Sequence, residues 1–305
     1  MTRPYIFLLL VLLLCKNSYA SDDVIETSAR PMEISGKIMD RNGKQFSDNV
    51  SLEITSRQVV AGKMFVGGYK STEKKDTLNC ASGIFKWTGM GDFANIAAIK
   101  EGYHSTEVMI VKDMGETVIT REGVLIYLIP EGNKSTLWFT SDAYIPGSKD
   151  KESGGKQCGW SFKKRWYFPV DGDEPVDIIR SVNENKKRTY TMKEPGGFIY
   201  FEGYPKFENN TERNYADFEL MPEAPETGYV STFVPAEHKP DDRDRYFCYF
   251  KTPDGKYGKI CFSGSLSYYL QPDGSRNLEA GEVIDKGPRN PIEAEWLDKE
   301  LGKDN

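Results

Sequence analysis

Residues 246–262 read YFCYFKTPDGKYGKICF. Two runs rich in aromatic and β-branched side chains flank Pro253, Asp254 and Gly255, residue types that close a tight turn, so this stretch is a predicted β-hairpin. The hairpin admits two registers. If Asp254 and Gly255 form a two-residue loop, Cys248 faces Cys261 in a non-hydrogen-bonded pair, with the close Cα spacing a disulfide spans. If Pro253, Asp254 and Gly255 form a three-residue loop with Gly255 left-handed, Cys248 faces Ile260 instead, and the two cysteines point to opposite faces as buried free thiols. Pro253 has no N–H to give a ladder, which the second register accommodates. Both readings stand at this point.

The same period of two runs outward through the chain. Ile34, Gly36 and Ile38 precede a turn at Asp40–Gly43, and Val50, Leu52 and Ile54 then alternate with Ser51, Glu53 and Thr55. Residues 84–87 (IFKW) and 94–100 (ANIAAIK) read as a second pair turning through Gly89–Asp92, followed by 107–111 (EVMIV). Residues 117–130 (TVITREGVLIYLIP) read as a further pair turning near Arg121–Gly123. Beyond them, residues 161–170, 197–202, 229–234 and 265–270 are strand-like, and helical periodicity is hard to find. The fold class predicted is all-β: a β-sandwich, then a second β-rich, sandwich-like domain.

Composition shifts set the expected boundaries. Residues 21–32 form a polar leader, 33–131 the first sandwich, 132–155 a linker, 156–285 the second domain and 286–305 a charged tail. Within the linker, residues 137–140 (LWFT) suit a strand of either domain.

The first sandwich carries a resemblance. Ile34, Gly36, Ile38, Asp40 and Gly43, then Val50 and Leu52, then Ser82, Gly83 and Phe85, and finally Glu101, Gly102 and Tyr103 resemble the carboxypeptidase regulatory-like family of transthyretin-like β-sandwiches. The match spans residues 34 to about 112 and implies a Greek-key sandwich whose first turn joins two antiparallel strands. It also implies a rigid, mostly non-catalytic accessory module beside another domain. Residues 57–79 are longer than the family's loop at that place. Residues 268–279 (YYLQPDGSRNLE) resemble a segment of secreted bacterial proteins that pair it with a regulatory-like domain.

Arg3, the apolar run 5–14 (YIFLLLVLLL) and the small-residue site ending at Ala20 are the pattern of a signal peptide cleaved before Ser21. The run is too short to span a bilayer as a helix, which needs roughly 20 residues. Cleavage removes Arg3 and Lys16 from 40 basic residues set against 46 acidic, moving the formal charge from -6 to -8. So acidic a chain has no electrostatic grip on nucleic acid. Four cysteines are left, an even number suited to an oxidising, secreted or periplasmic location.

No nucleophile elbow, HExxH helix or phosphate loop occurs. The two histidines, His104 and His238, lie far apart, and His104 reads as a solvated turn residue. Asp171, Asp173, Glu174 and Asp177 offer oxygen ligands but not at EF-hand spacing. No catalytic residue, metal or cofactor is therefore assigned. The aromatic cluster Trp160, Trp166 and Tyr167 offers faces for stacking on sugar rings, although core packing favours the same residues. The functional expectation is an exported, non-enzymatic binding or structural module whose partners are polysaccharide or cell-envelope proteins. The rival from another class is a secreted hydrolase acting on glycans through paired carboxylates in the second domain.

Overall fold

The computed structural model describes residues 29–63, 66–113, 115–146, 156–183, 187–241 and 244–286. The predicted signal peptide, its Ala20/Ser21 cleavage site, residues 21–28 of the leader, residues 147–155 of the expected linker and almost all of the charged tail lie outside them. The described chain is nearly all β, as expected, and builds two sandwiches from four sheets.

The first sandwich uses eight strands: β1 (Arg30–Asp40), β2 (Val50–Lys63), β3 (Val66–Cys80), β4 (Ile84–Gly91), β5 (Phe93–Ile99), β6 (Tyr103–Ser105), β7 (Glu107–Val111) and β8 (Ile119–Pro130). One sheet centres on β8-β1-β4, and the other runs β3-β2-β5-β7. Alternation explains the core. Met32, Ile34 and Ile38 from β1 meet Leu52 and Ile54 from β2 and Ala94 and Ile96 from β5, while Val124, Ile126 and Leu128 enter from β8. Gly36 falls on this inward face because β8 passes too close for any side chain: a Cβ there would lie 2.0 Å from the Val124 carbonyl oxygen.

Several pairings differ from the sequence reading. β1 and β2 lie in opposite sheets, and so do β4 and β5, so neither neighbouring pair forms a hairpin. β1 instead lies between antiparallel β4 and parallel β8. Residues 119–130 form one strand with a register shift, and Gly123 takes a left-handed φ of 68° within it. A bulge of this kind carries the same glycine signal as a turn. The described residues of the long stretch 57–79 continue the β2–β3 ribbon, with Arg57 opposite Glu73.

The second sandwich has one sheet ordered β14-β18-β19-β20-β9-β21, from Gly197–Phe201, Tyr246–Lys251, Tyr257–Phe262, Leu266–Leu270, Ser135–Ala143 and Ala280–Asp285. The facing sheet runs β11-β10-β12-β13-β17, from Trp166–Pro169, Cys158–Ser161, Ile178–Val182, Arg188–Met192 and Thr232–Phe233. Residues 135–143 of the expected linker are thus an interior strand. Its inward Leu137 and Ala143 are fully buried, and a buried strand needs ladder partners on both sides.

The expected boundary near residue 131 is also crossed by the chain returning. Strands β15 (Tyr204–Phe207) and β16 (Asn210–Tyr215) extend the first sandwich's sheet, with Phe207 opposite Val124. Lys37 and Glu208 form an exposed ion pair at 2.6 Å across this junction. The outer face of β8, carrying Leu125, Tyr127 and Ile129, packs on Leu220 with Phe201, Tyr204 and Tyr215 around it. Opposite alternation on β8 therefore serves two cores: even positions fill the sandwich, odd positions fill the seam.

Candidate functional site

The three aromatics singled out by sequence part company. Trp160 is fully buried on β10, and its indole N–H donates to the Tyr268 hydroxyl at 3.4 Å. It cannot stack on a ligand. Trp166 and Tyr167 are half-buried at the edge strand β11 and stack on each other at 4.9 Å, and Tyr167 also packs against the core. Because the two rings stack face to face, they do not lie side by side as a flat two-ring platform.

The 246–262 hairpin takes the three-residue-loop register: Cys248 faces Ile260, Cys261 faces Phe247, and Gly255 has a φ of 87°. The Cys248–Cys261 disulfide is therefore not formed. Cys248 enters the sandwich core, Cys261 packs with Phe247 and Met221 on the other face, and all four described cysteines are free and buried. Burial raises Cys248 well above an ordinary thiol and pushes Cys261 up to about 12. Neutral thiols at that depth are small apolar fillers rather than nucleophiles.

His104 is not a solvated turn residue. Its Nε2 lies 3.0 Å from both carboxylate oxygens of Glu279, which also accepts the Gly132 N–H at 3.1 Å. This contact ties β6 of the first sandwich to the segment entering β21. Nearby, buried Lys259 donates to the carbonyls of Phe218 at 2.8 Å and Leu278 at 2.7 Å. Burial lowers its pKa to about 8 against the attraction of Glu279. Neither contact was legible in sequence, since the partners stand far apart in the chain and no motif joins them.

The site with the most chemistry is a cleft of about 590 Å³ at one end of the second sandwich. The same hairpin turn forms one wall, with Thr252 and Asp254, while the chain leading into β12 brings Asp177. Trp138 of β9, within the expected linker, supplies a half-buried indole. The two carboxyls sit in unlike surroundings. Burial raises the Asp177 pKa, the negative charge of Asp254 adds to the rise, and the Phe162 N–H bonded to Asp177 at 2.7 Å opposes it, as do Lys193 and Lys256. Burial also works against ionised Asp254, but the Thr252 hydroxyl and the Lys256 ammonium, at 3.0 Å, outweigh it and hold that pKa below the usual carboxylate value. One group is thus biased to donate a proton and its neighbour to stay charged, which is how unlike roles arise in a pair of acids.

Asp177 was visible in sequence only as one member of an acidic run. The rest of that run does not converge: Asp171 and Asp173 are exposed, and among the described residues no group of three or more His, Cys, Asp or Glu is placed to hold a metal ion.

No protein-family model and no curated protein matches this chain. Among solved structures, a point mutant of the shaft pilin SpaA from Lactobacillus rhamnosus GG aligns at 10% identity over 86% of this chain and 99% of its own, with a TM-score of 0.20. A score that low carries no argument about fold or function.

Proposed function

We propose that this chain is an exported, non-enzymatic β-sandwich protein of the cell surface or periplasm that binds carbohydrate in the end cleft of its second sandwich. The observation that carries the reading is the meeting of the Trp138 indole with Asp177 and Asp254 in one cleft. A sugar ring has apolar C–H faces that suit an indole and a hydroxyl rim that suits carboxyl acceptors and donors. The first sandwich, which resembles a carboxypeptidase regulatory-like domain, serves as the rigid accessory unit, and polysaccharide or envelope proteins are the partners. Two-sided packing of β8 supports a fixed spacing between the units. Titration calorimetry of the full chain against neutral oligosaccharides tests the reading. Binding that weakens at least several-fold in Trp138→Ala is the expected result, and no binding of neutral oligosaccharides, or binding that Trp138→Ala leaves unchanged, rejects it.

The opposite pKa shifts of Asp177 and Asp254 favour one second reading, acid-assisted glycan hydrolysis, in which Asp177 gives a proton to the leaving oxygen, Asp254 is the charged partner and water supplies the hydroxyl that completes the cleavage. New reducing ends released by the full chain and lost in Asp177→Asn would establish it. Binding without product leaves the non-enzymatic reading in place.

A further inference from the structure

A second concavity, of about 370 Å³, lies where the two sandwiches meet, away from the end cleft. Its wall is aromatic. Phe201 of β14 contacts Tyr204 of β15 edge-on at 5.9 Å and Tyr249 of β18 edge-on at 6.0 Å, so the three rings hold one another in place. Tyr204 also packs on Tyr127 at 4.8 Å. Two cations border the rings. Arg41 comes from the turn after β1 in the first sandwich, and Arg276 comes from the segment that closes the second.

The polar groups of this groove are unevenly used. Arg276 pairs with Glu223 at 2.8 Å and donates to the Ala224 carbonyl at 3.3 Å, which fixes its guanidinium. Exposed Arg41 has no hydrogen bond or ion pair among the described residues, yet it is close enough to act electrostatically on both Tyr204 and Tyr249. Neither tyrosine hydroxyl has a hydrogen-bond partner among the described residues, and neither is among the sealed, unsatisfied polar atoms, so both open to solvent. Burial raises both phenols, Tyr249 the more, which keeps them as O–H donors at neutral pH.

We propose that this inter-sandwich groove is a binding site for a carboxylate-bearing sugar, a uronic acid unit of an acidic glycan. The ring faces of Phe201, Tyr204 and Tyr249 receive the apolar side of the pyranose, the two phenols bond its rim hydroxyls, and the unpaired Arg41 fork takes the carboxylate. Guanidinium matches a planar carboxylate through two parallel N–H bonds, which a neutral sugar cannot use. The volume falls within the range of small-ligand sites, roughly 300–1,000 Å³, and a domain junction is a common place for one. An arginine left unpaired beside solvent-open phenols is conspicuous in a chain of formal charge -6, where acidic partners are abundant. The site needs both sandwiches, since Arg41 and Tyr249 belong to different ones. It does not depend on the end cleft.

Calorimetric titration of the full chain with trigalacturonate, with maltotriose as the neutral control, tests the site. In the Trp138→Ala variant, which weakens the end cleft, trigalacturonate is expected to bind and maltotriose to bind at least roughly tenfold more weakly, the difference one charge-assisted pair supplies. Arg41→Ala should lose about tenfold, and Arg41→Lys should recover only part of it, because the charge returns without the fork. Tyr249→Phe keeps the ring and should lose roughly fivefold, the worth of one hydrogen bond. Trp138→Ala should leave trigalacturonate affinity unchanged, which separates this groove from the end cleft. The inference is overturned if trigalacturonate does not bind, if maltotriose binds the Trp138→Ala variant as tightly as trigalacturonate does, if Arg41→Ala stays within twofold of the wild type, or if Trp138→Ala abolishes trigalacturonate binding.

Discussion

The two sandwiches reach a closed core with different side chains. The first is mainly aliphatic, built from isoleucine, valine and leucine on long strands, with Phe85 and Trp87 as its buried aromatics. The second packs Trp160, Phe162, Tyr190, Phe198, Phe233, Phe250, Phe262 and Tyr268 between shorter strands. Phe162 and Phe250 stack at 4.8 Å, and Tyr268 meets Phe162 edge-on at 5.0 Å. Branched aliphatic side chains fit regular pleated faces along long strands. Large flat rings fill the core between short strands with few residues, and one of them, Phe162, also lines the cleft of Asp177 and Asp254.

If rings are what hold the second unit together, Trp160→Ala should be the most damaging change. A loss of about 3–5 kcal/mol is expected in denaturant unfolding, against under about 1 kcal/mol for Trp166→Ala at the edge. Equal effects would break the contrast between core and rim aromatics. In the aliphatic unit, Ile54→Ala should cost about 2–5 kcal/mol, because a smaller deleted volume leaves a smaller hole.

The seam can be probed through pH. Burial lowers the Lys259 pKa from 10.5 to about 8, so the unfolded chain holds this proton more tightly than the folded one. Stability from the neutral amine is full above 10.5 and is lost as pH falls towards about 8. The stability of the wild type relative to Lys259→Met should therefore grow by up to about 3 kcal/mol as pH rises through that window. A flat difference would show that Lys259 keeps its charge when buried.

His104→Ala removes the partner of buried Glu279 and should cost roughly 1–3 kcal/mol. If the seam couples the two units, the variant should also split one unfolding transition into two, read by calorimetry. The smallest effect expected is that of a reductant. With Cys80, Cys158, Cys248 and Cys261 all free, dithiothreitol should leave the melting temperature unchanged, and a drop would mean that a disulfide forms after all.

Legibility followed the range of the interaction. The strand character of residues 33–55 and 246–262 was plain because alternation is a local property. Partner choice was not: β1 accepts β8 across several intervening strands, and the same alternation would serve a hairpin with β2 equally well. Gly123 shows how one signal has two structural outcomes, a turn or a bulge. Asp177 and Asp254 illustrate the limit for chemistry. Each is one acid among 46, and only packing that buries Asp177 more deeply and gives Asp254 a hydroxyl and an ammonium partner makes them different.

The sequence by itself determined the all-β class, the two strand-rich regions and the two possible registers of the 246–262 hairpin, because backbone geometry imposes a period of two on any half-buried strand. Tertiary structure alone decided that Cys248 and Cys261 lie on opposite faces, that Trp160 is core, that residues 135–143 are an interior strand and that 204–215 return to the first sheet. Those outcomes depend on which distant surfaces exclude water from one another, and burial between segments far apart in the chain leaves no periodic trace in either of them.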